Sequence, residues 1–150
     1  MYCYKYPHPA VTVDCIVFNR EGDKIWVLLI KRKNDPYKDC WAFPGGFINI
    51  DESAEDAAIR ELKEETGLIV SKVEQLKAYS NPDRDLRERV ITIAFIAEST
   101  IKDVKGGDDA KEARWFEISN LPSLAFDHEL ILKDALKTIT NESLDGRDKN

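Results

Sequence analysis

The sequence predicts an α/β fold. Segments of strand length with alternating or continuous apolar character are interspersed with two stretches whose apolar residues recur at helical spacing. No composition break or linker divides them, so one domain spanning residues 1–150 is the expected count. With 43% of 150 residues hydrophobic, a chain of this size can bury about 68–70% of its unfolded surface.

Taken in order, residues 11–18 and 24–32 read as strands, joined across turn residues at 19–23 that include Gly22. A helix is expected over residues 54–66. Ser53 can cap it, Asp56 stands three residues on in the capping-box position, and Gly67 is placed for a left-handed stop. Ala58, Ile59 and Leu62 share one side of that helix and supply its apolar face. Residues 68–79 form a weaker strand candidate, 89–97 alternates well through Val90, Thr92, Ala94 and Ile96, and 112–118 is a short strand. Asp127 can cap a last helix reaching about Thr140, with Leu130, Ile131, Ala135, Leu136 and Ile139 at helical spacing. The polar residues 142–150 are expected to fray.

The first helix carries the chemistry. At 100° per residue, Glu61, Glu64 and Glu65 fall within an arc of about 100°. Like charges at these spacings destabilise an isolated helix by about 0.2–0.5 kcal/mol per pair, and a divalent cation would reverse that sign. A glutamate-rich run of five residues is usually only a solvated face. The longer pattern is more demanding: seven fixed positions (Gly46, Glu52, Arg60, Glu61, Glu64, Glu65, Gly67), at about 7% background each, coincide by chance on the order of once in 10^8 windows. The preceding Trp41-Ala42-Phe43-Pro44-Gly45-Gly46 supplies a loop whose glycines can take backbone angles other residues avoid and can present main-chain carbonyls.

This spacing resembles the signature box of the Nudix hydrolases and matches it at every defining position. The resemblance implies an α/β/α sandwich with a mixed β-sheet, a loop-helix-loop catalytic motif, and hydrolysis of a nucleoside diphosphate linked to another group with Mg²⁺ or Mn²⁺. It implies Glu61 and Glu65 as the principal metal ligands, with Glu64 and the main-chain carbonyl of Gly45 joining them. It casts Glu52 and Arg60 as supports that orient the glutamates. An all-oxygen carboxylate set suits hard cations and suits zinc or copper poorly. Such an ion would also let an acidic site accept a doubly charged diphosphate.

Substrate choice rests on segments outside the box. Residues 80–90, 107–116 and 124–128 resemble the ADP-ribose pyrophosphatase branch, although Leu86 stands where proline is usual and Glu88 where glycine is usual. The reaction implied is ADP-ribose to AMP and ribose 5-phosphate. Two alternatives stand beside it: a pyrophosphohydrolase of nucleoside triphosphates or oxidised nucleotides, and a non-catalytic ADP-ribose sensor. Arg84 and Arg87 offer fixed donors to the phosphoryl or ribose end of the ligand, and Phe43, Phe126 and Trp41 could stack on a base. The resemblance also implies an acidic residue from outside the box as general base or added metal ligand; Glu112 is the candidate, with Asp108 and Asp109 as rivals.

Composition bounds the setting. A net charge of −6 argues against non-specific nucleic-acid binding. No apolar run is long enough to span a membrane and no signal peptide is recognisable, so a cytoplasmic location is expected. Cys3, Cys15 and Cys40 form neither a zinc-ligand spacing nor a disulfide framework. His8 and His128 have no spacing that ties them to the glutamates and read as structural. The aromatic start (Tyr2, Tyr4, Tyr6) offers surface for a homodimer.

Overall fold

In the computed structural model, which describes residues 1–148 with side chains through Asn141, β1 (Ala10–Glu21) is the axis of the molecule. Its apolar residues alternate between two cores. Val13, Cys15 and Val17 face one side, whereas Ile16 and Phe18 face the other, as a period of two requires. Strand β1 pairs antiparallel with β2 (Lys24–Arg32) from Phe18↔Val27 to Glu21↔Lys24, through a turn at Gly22 with φ of 60°. On its other edge it runs parallel to β6 (Val90–Glu98), which pairs antiparallel with β5 (Glu74–Tyr79). Strand β7 (Ala110–Glu117) pairs with the outer edge of β2.

Strands β1 and β2 pair only near their hairpin. Where they diverge, two short strands fill the gap: β3 (Trp41–Ala42) on β2 and β4 (Gly45–Phe47) on β1. That insertion brings the glycine loop into the sheet and opens a cleft beside it.

Helix α1 (Ala54–Thr66) covers one face. Leu62 packs with Cys15, Val17, Leu28, Leu68 and Ala97, and Ala57 and Ala58 pack with Val13 and Phe95. Helix α2 (His128–Asp148) covers the other through Ile131, Leu132, Ala135 and Ile139 against Ile16, Phe18, Val27 and Leu29. The result is the α/β/α sandwich with a mixed sheet. Truncating a buried leucine such as Leu62 to alanine in either core costs about 2–5 kcal/mol.

The cap residues of α1 act as read: the Asp56 N–H donates to Ser53 Oγ at 3.1 Å, and Gly67 sits at φ 77° with its N–H on the Lys63 carbonyl at 2.8 Å. Other boundaries moved. The strand expected over 68–79 is confined to Glu74–Tyr79, because Leu68 leaves α1 directly into the core. Strand β1 runs three residues beyond Phe18 because the hairpin ladder extends its pairing to Glu21. Strands β3 and β4, of two and three residues, are too short to show any period. The backbone of α2 continues past Thr140 to Asp148. Of the tail expected from residue 142, the side chains and residues 149–150 lie outside the described residues.

Candidate active site

The end of α1 is clamped to β4 by its carboxylates. Glu65, only 4% exposed, accepts the Gly45 N–H on Oε1 at 3.0 Å. Glu61 lies against Gly46, where a side-chain Cβ would stand 2.7 Å from its carboxyl carbon; a Cβ at Gly45 would come within 2.1 Å of the Val13 carbonyl oxygen. Closeness, and not an unusual backbone angle, is therefore what demands both glycines: among the described residues positive φ at glycine occurs at Gly22 and Gly67. For Gly45, the contact the structure records is through its N–H, where the family resemblance implies its carbonyl.

Arg60 organises the rest. Its guanidinium donates to Glu52 at 2.6 and 2.9 Å, to Glu61 at 2.8 Å, to Glu64 at 3.1 Å and to the Phe47 carbonyl at 3.2 Å. Glu52 also accepts the Asn49 N–H at 2.9 Å. The Arg60 fork holds the Glu52 carboxyl below its ordinary range, and the carboxylates raise Arg60 in turn, through Glu52 first. Arg60 thus ties Glu52 to Glu61 and Glu64.

Glu61 and Glu65 are different. Burial pushes both upward, and Glu65, further raised by the charge of Glu61, reaches about 9. The two carboxyls act on each other, which lowers Glu61 and raises Glu65. This all-oxygen pair fits a hard divalent cation, whose charge would offset that of both carboxylates. Glu64 does not converge with them: its side chain is 41% exposed and turned toward Arg60. Among the described residues no three acidic, histidine or cysteine side chains are already gathered as a metal cage.

The cleft beside β4 is lined by Gly45, Gly46 and Glu65 and by Arg32, Arg84, Arg87, Phe43 and Phe126. The expected ligand residues are thus brought together, but not with free hands. Arg84, 5% exposed, is engaged fork to fork with Asp127 at 2.7 and 2.9 Å. Arg87 makes the same kind of pair with Asp85 at 2.7 and 3.1 Å. Phe43 is buried and stacked on His128 with ring centroids 4.8 Å apart. Phe126, at φ 51°, presents its ring to Tyr37 at 4.8 Å and to the guanidinium of Arg32 at 5.0 Å. Trp41 is core, edge-on to Phe116.

Glu112 is not brought to the cleft. It pairs across the ladder with Lys31 and shares the face of Arg114 and Phe116, under α2 and opposite α1, with its carboxylate on Arg114. Strand alternation, invisible without the register, turns it away. Asp109, one of its two rivals, does line the cleft.

Sequence reasoning missed several residues here. Arg32 is half-buried at the cleft and lowered, first by burial and then by Arg87. Asp14 is 8% exposed and His128, read as merely structural, is 3% exposed, and both line the cleft. One signal was available for Asp14: a lone carboxylate inside the apolar run 13–18.

The chain is similar to known proteins in sequence and fold. A NUDIX domain model matches residues 8–137. An ADP-ribose pyrophosphatase of Methanocaldococcus jannaschii is 54% identical over 132 residues, covering 88% of this chain and 76% of that protein. The ADPR responsive transcriptional repressor NtrR of Acinetobacter baylyi is 32% identical over 143 residues, which span 92% of this chain but 57% of the repressor. The NUDIX domain of Shewanella oneidensis NrtR, solved with ADP ribose, superposes with a TM-score of 0.84 at 29% identity, over 89% of this chain and 90% of that one. With the box, the sandwich and the Glu61–Glu65 pair on the glycine loop all in place, this chain belongs to the Nudix family.

Proposed function

We propose that this protein hydrolyses the diphosphate bond of ADP-ribose, giving AMP and ribose 5-phosphate. The observation that carries the reading is one cleft lined both by Glu65 with Gly45 and Gly46 and by Arg32, Arg87 and Phe126, so a single ligand can meet the metal-binding carboxylate and cationic and aromatic groups together. Mg²⁺ or Mn²⁺, held by Glu61 and Glu65 with Glu64 and the Gly45 carbonyl as further oxygen donors, would neutralise the diphosphate and acidify a bound water. Arg60 keeps Glu61 and Glu64 oriented through bonds of 2.8 and 3.1 Å. Water attacks one phosphorus, the bond from that phosphorus to the bridging oxygen breaks, and Glu64 receives the proton from the water. The Arg87–Asp85 and Arg84–Asp127 pairs hold the far wall of the cleft in place.

The test is a metal-dependent hydrolysis screen of ADP-ribose, related dinucleotides and nucleoside triphosphates, with products separated by chromatography. AMP with ribose 5-phosphate, at the highest kcat/KM of the panel, supports the reading. Preference for triphosphates with release of pyrophosphate would replace the substrate and keep the box chemistry. Tight ADP-ribose binding without turnover would favour a sensor, a reading that the similarity to an ADPR responsive repressor keeps in view. A cytoplasmic homodimer belongs to the same proposal, with the exposed Tyr2, Tyr4 and Tyr6 as available surface; a monomeric mass by light scattering would refute it.

A further inference from the structure

We propose that Asp14 reads the hydroxyls of the sugar that adjoins the diphosphate, and that Thr92 and His128 hold its carboxylate for that task. The inference rests on the ADP-ribose reading above. Asp14 interrupts an apolar strand, is 8% exposed, and lines the cleft with Thr12, Gly45, Glu65, Arg84 and His128. Packing alone favours an apolar side chain there, because a carboxylate removed from water is costly unless it is paired and hydrogen-bonded.

The carboxylate is held on both oxygens. The buried Thr92 hydroxyl donates to Oδ2 at 2.7 Å, and His128 Nε2 faces Oδ1 at 3.5 Å. The histidine is fixed in turn: its Nδ1 accepts the Phe43 N–H at 3.1 Å, and its ring stacks on Phe43. With Nδ1 accepting, the ring proton sits on Nε2, toward Asp14. His128 is thus a positioning residue. Burial works to keep Asp14 protonated, but His128, Thr92 and Arg84 outweigh it and hold the group ionised.

An ionised carboxylate accepts about four hydrogen bonds, and Thr92 and His128 supply at most one to each oxygen. The remaining capacity belongs to a residue that lines a ligand cleft. It lines the same cleft as Glu65 and Arg84. A phosphoryl group would be repelled at that point. A neutral group rich in donors is favoured, and a ribose offers vicinal hydroxyls to a two-oxygen acceptor.

The experiment compares ADP-ribose with its analogue lacking one terminal-ribose hydroxyl, on the wild type, Asp14→Asn, Thr92→Val and Thr92→Ser. Asp14→Asn is expected to raise KM for ADP-ribose about 10- to 100-fold, the range of a hydrogen bond to a charged group, with kcat changed less than about 3-fold. On the deoxy analogue, already poor for the wild type, the same variant should lose little more. Thr92→Val should raise KM in the same selective way, and Thr92→Ser should restore it; this pair decides the matter if Asp14→Asn does not fold. Mn²⁺ affinity, read by electron paramagnetic resonance, should be unchanged. Equal losses on both substrates, or a fall in kcat or Mn²⁺ affinity, would overturn the assignment and point to a proton-transfer or metal role. Wild-type protein that turns over triphosphates but not ADP-ribose would overturn the parent reading, and the sugar assignment with it.

Discussion

Replacing Glu65 by glutamine should make the metal-free protein more stable while removing its activity. The folded protein holds this carboxyl protonated up to about 9, against an ordinary value of 4.5, chiefly because it is buried and also because Glu61 stands beside it. The unfolded chain therefore binds fewer protons than the folded one between those limits, and stability falls as pH rises from about 4.5 to about 9. At pH 7 the group has crossed roughly 2.5 units of that range at 1.36 kcal/mol each, an upper bound of about 3 kcal/mol. Sharing of charge with Glu61 reduces it, and about 1–2 kcal/mol is the expected gain. Glutamine resembles the protonated form: its oxygen can keep the Gly45 N–H, now at 3.0 Å, and its amide can donate to Glu61.

The assay is a pair of thermal melts in EDTA, wild type against variant. The variant should melt higher by about 2–8 °C at pH 7 to 8, as roughly 2–4 °C per kcal/mol suits a domain of this size. The two proteins should converge as pH approaches 4.5. Saturating Mg²⁺ should stabilise the wild type more than the variant, because the variant has lost one of the carboxylates proposed to hold the ion. Turnover should fall about 100- to 1000-fold, the scale of losing one preorganised electrostatic group. A variant no more stable than wild type in EDTA at pH 8, or one that turns over at the wild-type rate, would refute the reasoning.

Three further outcomes follow from the same geometry. Gly46→Ala should cost turnover more than stability, since the new methyl meets the Glu61 carboxyl at 2.7 Å and a flexible side chain can move aside; paired melts and kinetics check this. Arg84→Ala should destabilise the fold by about 3–5 kcal/mol, because it strands Asp127 without its buried partner, and denaturant unfolding measures it. Glu112→Gln should change kcat less than about 3-fold at constant stability, as that side chain lies on the α2 face with Arg114; a large loss of kcat would return it to the reaction.

The buried polar groups around β4 are tied to one another across elements. Asp14, Thr92, His128, Arg84 and Asp127 come from two strands, loops and the start of α2, and each is held by a partner on another element. Networks of this kind rigidify a site when fully satisfied. Here they fix the wall that faces the carboxylates of α1.

The box residues were legible because their meaning is local. Helical spacing alone sets Glu61, Glu64 and Glu65 on one side of α1, and a cap, a stop and an arginine four residues before Glu64 are read from the same short stretch. Nothing local distinguishes the three glutamates further. Only the docking of β4 buries Glu65 and draws Glu61 to Gly46, while leaving Glu64 to Arg60 and solvent. The same divide runs through the rest of the molecule. Strand segments were visible from their apolar period, but the parallel pairing of β1 with β6 and the insertion of β3 and β4 depend on contacts between distant residues. Glu112 looked apt as an acidic residue outside the box and is turned away by strand register, and Arg84, expected to offer donors to the ligand, is paired with Asp127, 43 residues on. Asp14 and His128, 114 positions apart in number, meet only because α2 lies across the face that β1 presents. The sequence by itself determined the kind of chemistry, since that needs residue types at short fixed spacings; the tertiary structure decided which of those groups are buried, paired or facing the cleft, since burial and pairing belong to the packed chain.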